Sequence, residues 1–278
     1  MSAETYRSAL HVAAVFGFYL CCAMLVPAFV DFYTGHPDWM VFTRAAIFCG
    51  GFCGAAALAT RDTPPPLNRK TGFLLVNLLW VVFSLIGAIP LWLSSKDMSL
   101  MKAIFESASA VTTTGSTVMT GLDYAPPGIL LWRSMLQWFG GIGIVALGLF
   151  VMPFLRLGGI SFFRMESSDT NEKVFARIAT FMRAFVVIYI AITLVCFTVY
   201  HVLGMTQFDA LNHAMTTVAT GGFSTHDASF GYFQSVPLLW ASTFFMTLCS
   251  LPFSILILFL VKRSAKALQD PQILVFLG

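Results

Sequence analysis

The chain has 278 residues, 58 % of them hydrophobic and 10 % charged, with a mean hydropathy of +0.81 and a formal net charge of +3. A water-soluble domain carries roughly 45–50 % apolar and about 25 % charged residues, so a soluble globule is excluded, and with it disorder, a coiled coil or a disulfide scaffold. The basic residues fall between apolar runs rather than in a stripe that could face phosphates, which excludes nucleic acid as a partner and leaves membrane lipid.

A helix needs about 20 apolar residues to cross a bilayer. Six stretches meet or approach that length: residues 10–32, 41–59, 72–93, 128–154, 175–200 and 236–261. The first follows Arg7 and is longer than the apolar core of a cleavable signal. The second is short, bracketed by Arg44 and Arg61, and carries Gly50, Gly51 and Gly54, small residues that let a neighbouring helix approach. The six cysteines all lie in apolar runs and read as small hydrophobes rather than zinc ligands. Trp39, Trp92 and Trp240 fall near predicted interfaces, as belt anchors do.

Positive charge marks the cytoplasmic side. Arg61, Arg69 and Lys70 lie between the second and third stretches, and Arg156, Arg164 and Lys173 between the fourth and fifth. Lys262, Arg263 and Lys266 follow the sixth. The alternate loops, 33–40, 94–127 and 201–235, hold only Lys96 and Lys102, with Arg44 and Arg133 at nearby helix ends. Both termini are therefore expected in the cytoplasm.

Two of the outer connections are too long for simple hairpins. Each contains a moderately apolar helical piece, Leu100–Val111 and Phe208–Thr217, of a length that can dip into a bilayer but not cross it. Ser99 and Thr206 are placed to cap their N-termini, with Asp209 in the first turn of the second. Each piece runs into a polar strip, Thr112-Thr113-Thr114-Gly115-Ser116-Thr117 in one and Thr217-Val218-Ala219-Thr220-Gly221-Gly222-Phe223-Ser224 in the other. Overlaying the strips pairs Gly115 with Gly221, Thr114 with Thr220 and Ser116 with Gly222. The order of spanning helix, short helix, strip and spanning helix thus occurs twice, an internal repeat.

Non-helical backbone at membrane depth leaves carbonyls that must line a wet cavity or be buried in protein. Turned inward, they can replace the hydration shell of a cation, and Thr or Ser hydroxyls add oxygen ligands. Neither strip contains Asp or Glu, so the ligands are neutral dipoles, which suit a monovalent ion. The candidate ion-binding residues are Thr112, Thr113, Thr114, Gly115 and Ser116, with Val218, Ala219, Thr220, Gly221 and Gly222. A plain polar turn is the rival for either strip alone, but two such strips at matching places make it the weaker reading.

Three stretches carry a family resemblance: Ala110-Val111-Thr112-Thr113-Thr114-Gly115; Leu131-Trp132-Arg133 with Gln137-Trp138-Phe139-Gly140-Gly141-Ile142-Gly143; and Ala219-Thr220-Gly221-Gly222-Phe223-Ser224-Thr225-His226-Asp227. They resemble the Trk, Ktr and HKT potassium-transporter superfamily, in its TrkH-like branch, over essentially the whole chain. The resemblance implies an all-α integral membrane fold: an N-terminal helix pair (1–71) and two helix–pore helix–filter–helix repeats (72–160 and 161–264). Residues 265–278 would begin a third repeat or form a tail. Family members carry four repeats, so the chain is expected to be the N-terminal half of a longer transporter.

The implied function is the pore-forming subunit of a potassium uptake system, with sodium as the second candidate ion and K+ held at the filter residues. Glycine at Gly115 goes with potassium in that family. No bound cofactor is expected. The resemblance further implies a homodimer, a cytoplasmic nucleotide-binding regulatory ring, and the bacterial inner membrane as location. The rival readings are a non-conducting structural fragment and a homodimeric two-repeat channel. A membrane hydrolase built on Asp209, His213 and His226-Asp227 lacks any accompanying motif, so capping and hydrogen bonding at the outer mouth is the preferred role. Arg133 is expected to snorkel to the interface, with a pair to Asp123 or Glu106 as alternative. Lys102 and Glu106 read as a surface pair. Gly140, Gly141, Gly143 and Gly148 suit either a hinge or close packing.

Overall fold

The computed structural model describes residues 3–61, 69–94, 97–155, 171–251, 253 and 276. Among these the regular structure is entirely helical: α1 (Ala3–Ala23), α2 (Leu25–Thr34), α3 (Trp39–Thr60), α4 (Arg69–Ser94), α5 (Leu100–Val111), α6 (Pro127–Leu155), α7 (Asn171–Val202), α8 (Gln207–Val218) and α9 (Val236–Ser250). Five described stretches are long and apolar enough to cross a membrane: Glu4–Thr34, Trp39–Thr60, Gly72–Ser94, Pro127–Val145 and Ala179–Val202. The chain is a multi-pass membrane protein.

Two predicted spans differ in detail. The stretch 10–32 is two helices, because Pro27 has no N–H and its ring clashes with the carbonyl four residues back. The helical run is interrupted at Met24. The sixth span, expected to reach 261, is described as α9 only to Ser250. Leu251, which precedes Pro252, is extended at φ −69° and ψ 147°, the conformation that a following proline imposes. Most of 252–261 lies outside the described residues, as do the basic loop residues Arg156 and Arg164 and the tail residues Lys262, Arg263 and Lys266.

Two apolar cores hold the helices together. The first, with Met24, Phe42, Trp132 and Leu136, runs from α1 to α6; the second, with Phe185, Tyr189, Tyr200 and Leu238, joins α7, α8 and α9. Trp138 of α6 packs against both. Its ring N–H donates to Thr193 Oγ1 at 3.1 Å, and the Tyr189 hydroxyl donates to its carbonyl at 3.2 Å. Of the helix-pair glycines, Gly50 and Gly54 lie against Cys21 and Phe18 of α1, whereas Gly51 faces open space. Cys21, Cys49, Cys53, Cys196 and Cys249 are buried and unbridged, and Cys22 is exposed.

Asp31 carries no signal in the sequence. It is fully buried at the end of α2, and its Oδ1 accepts the Gly128 N–H at 2.6 Å. A carboxylate from one helix thereby caps the positive N-terminal end of α6. Gly128 is the residue that permits it, since a Cβ there would collide with the carboxylate.

Candidate functional site

The two short helices form where expected and are capped alike. Ser99 Oγ accepts the Lys102 N–H at 3.3 Å, and Thr206 Oγ1 accepts the Asp209 N–H at 3.1 Å. At the other end both strips leave their short helix by the same hydrogen bonds. The Thr113 N–H donates to Ala110 O at 2.9 Å and the Thr114 N–H to Ser109 O at 2.9 Å; the Thr220 N–H donates to Thr217 O at 2.9 Å and the Gly221 N–H to Thr216 O at 2.9 Å. This pattern turns the residue after the cap left-handed, a place normally given to glycine. Here it is threonine both times, Thr113 at φ 55° and Thr220 at φ 53°. A β-branched residue with positive φ is a true outlier. The same strain at matching places in two units marks a site that the surrounding structure enforces.

These angles correct the register of the repeat. Thr113 pairs with Thr220, and Gly115 pairs with Gly222, both at φ 78°; the sequence overlay of Gly115 on Gly221 is off by one residue. In the corrected register Val218 matches Val111. Both are the last residues of their helices and buried, so Val218 belongs to α8 rather than to the strip. Ala219 is the buried C-cap, in the place of Thr112.

The strips touch. A Cβ on Gly115 would collide with the Gly221 carbonyl oxygen, and one on Gly221 would collide with the Gln137 amide. Gly221 therefore serves close packing, whereas Gly222, with open space where a Cβ would point, serves the backbone twist. Thr112, Thr114, Ser116 and Thr220 are exposed. The Thr112 and Thr114 hydroxyls lie 2.8 Å apart.

A buried polar network braces the strips from behind. Arg133 and Glu106 are both almost fully buried and joined at 2.8 Å. Glu106 Oε1 also accepts the Thr117 hydroxyl at 2.7 Å, and Oε2 accepts the Val118 N–H at 2.9 Å. Arg133 then reaches into the second unit: Nη1 donates to Ser224 O at 3.1 Å, and the guanidinium carbon lies 4.3 Å from the Phe223 ring centroid. Snorkelling is thus overturned, as is the Lys102–Glu106 surface pair. A buried carboxylate must find a partner, and α6 supplies one.

His213 and Ser224 occupy the places of Glu106 and Thr117 in the corrected register, with Nε2 and Oγ 2.9 Å apart. The His213 Nδ1 lies 2.8 Å from the Asp209 backbone carbonyl, and the ring is fully buried. The serine–histidine contact is therefore the second unit's brace, with no carboxylate on Nδ1 and no access for a substrate. Close packing also accounts for two of the α6 glycines: a Cβ on Gly140 would collide with the Val111 carbonyl, and one on Gly141 with the Tyr189 hydroxyl. Gly143 faces open space.

Beyond the strips the two units clasp each other. Asp227 accepts the Gly121 N–H at 3.0 Å and the Leu122 N–H at 3.2 Å, while His226 Nδ1 meets Asp123 Oδ1 at 2.5 Å. The Tyr232 ring stacks on His226 at 3.5 Å. The His226 contact holds the Asp123 carboxyl below its ordinary value. Burial pushes the Asp209 carboxyl up, but hydrogen bonds from Thr225 and Thr206 and the charge of His226 outweigh it and leave it lowered.

Residues 38–277 match the family model described as TrkH, cation transport protein. The chain belongs to the TrkH cation transport family. Among its TrkH relatives, it is 38 % identical over 265 residues to the Trk system potassium uptake protein TrkI of Halomonas elongata, covering 95 % of this chain and 54 % of that protein. It is 35 % identical over 259 residues to TrkH of Escherichia coli K12, covering 92 % and 54 %. It is similar in structure to the potassium transporter TrkH from Vibrio parahaemolyticus, with a TM-score of 0.85 and 31 % identity over 98 % of this chain and 56 % of that one. The chain spans about half the length of the TrkH relatives it matches.

Proposed function

We propose that the chain is pore-forming material of a potassium uptake system. The observation that carries this is the pair of short helices ending in the same strained threonine turn, with glycines at one φ and two strips of neutral oxygens in contact. Backbone carbonyls and hydroxyls from Thr112–Ser116 and Ala219–Gly222 replace the water of a monovalent cation, and the negative C-terminal ends of α5 and α8 face it. The names of the relatives support potassium as the ion; sodium is the second candidate. Movement is passive, driven by a membrane potential worth about 2.3 kcal/mol per charge per 100 mV.

In this reading the chain divides into a helix pair, 1–71, and repeats 72–160 and 161–264, followed by 265–278. Both termini face the cytoplasm of a bacterial inner membrane. The exposed faces of Thr112, Thr114 and Thr220 leave the path open on one side, so further strips close it, from additional repeats or from a second copy of the chain. A homodimer and a cytoplasmic nucleotide-binding ring complete the system.

The test is rubidium influx in cells lacking their own potassium uptake. Gly115→Ala drives a methyl into the Gly221 carbonyl and is expected to abolish selective influx. Influx and selectivity equal to those of the unsubstituted protein would overturn the assignment.

A further inference from the structure

We infer that Gln137 is a positioning residue: it aims the Gly222 carbonyl into the ion path and thereby sets which alkali cation is accepted. This deepens the function proposed above and rests on it. Gln137 lies on α6 one turn after Arg133 and is fully buried. Its Oε1 accepts the Phe223 N–H at 3.1 Å. No cis peptide occurs among the described residues, and in a trans peptide the N–H and the preceding C=O point in opposite directions. A Phe223 N–H tied to α6 therefore turns the Gly222 carbonyl away from α6.

Three features make this peptide plane rigid. The far side of Phe223 is fixed, because the Thr216 hydroxyl donates to its carbonyl at 2.8 Å. Its ring is buried beneath the Arg133 guanidinium. The Gln137 amide itself is seated against both strips: a Cβ on Gly221 would collide with it, and its Nε2 comes within 3.6 Å of where a Cβ on Gly115 would stand. Among the described residues that Nε2 has no hydrogen-bond partner. An unpaired buried donor is costly, so the amide is held there for its acceptor and its shape.

The experiment measures the rubidium-to-sodium influx ratio of the complete protein in cells lacking their own potassium uptake. Gln137→Met keeps the volume and removes the acceptor; the ratio is expected to fall roughly three- to tenfold, the worth of one net hydrogen bond, at unchanged protein abundance. Gln137→Glu keeps an acceptor for Phe223 and restores discrimination relative to Met. Gly221→Ala displaces the amide, lowers the ratio by a similar factor, and adds little to Gln137→Met in the double variant. An unchanged ratio in Gln137→Met, or a Glu variant as poor as Met, overturns the inference and leaves the proposed function standing. Unselective influx in the unsubstituted protein overturns both. If Gln137→Met does not reach the membrane, the Gly221→Ala ratio decides, and an unchanged value overturns the inference.

Discussion

Thr113 and Thr220 hold a left-handed backbone that costs an L-residue about 1–2 kcal/mol. Glycine adopts it freely, so Thr220→Gly is expected to raise stability by about 1 kcal/mol, read as a higher Tm in detergent, while weakening ion selectivity. Arg133 behaves in the opposite way. Removing it strands Glu106 as an unpaired buried charge, and Arg133→Met is expected to cost about 3–5 kcal/mol. Adding Glu106→Gln removes that charge, so the double variant should recover part of the loss. A double variant no more stable than Arg133→Met would show that the pair does not work as a unit.

At the scale of elements, the sequence located the two short helices because their determinants are local. Ser99 and Thr206 cap them as expected, and the first runs from Leu100 to Val111 as read. The second extends one residue beyond the reading at each end, to Gln207 and Val218. How far these helices can move is fixed by α6. Gly140 lies so close to the last carbonyl of α5 that Gly140→Ala forces the backbones apart. Overpacking of this kind costs about 1–3 kcal/mol, and a lowered Tm with reduced rubidium influx is the expected result. A variant that melts and transports like the unsubstituted protein would show that α6 gives way instead.

Across the whole molecule, the units meet at the strips and again beyond them. Asp123 is held below its ordinary value of 3.8 by His226. A depressed carboxyl stabilises the fold above its unfolded value, and that contribution is lost as pH falls through the folded one. Asp123→Asn is therefore expected to destabilise the protein at neutral and mildly acid pH. The difference in Tm from the unsubstituted protein should vanish only in acid below 3.8. A difference that is the same at every pH would mean that the charge plays no part in the clasp.

The membrane character, five of the spanning stretches, the short helices and the strips that follow them were written in the sequence, because each depends on composition or on neighbours within a few residues. The family resemblance rested on the same local motifs. The register of the repeat, the burial of Arg133 against Glu106, the Asp31 cap on α6 and the seat of Gln137 between the strips were decided only in three dimensions. Each joins residues distant in the chain through a single contact, and the period of a helix or the chemistry of a turn carries no trace of which distant partner will meet it.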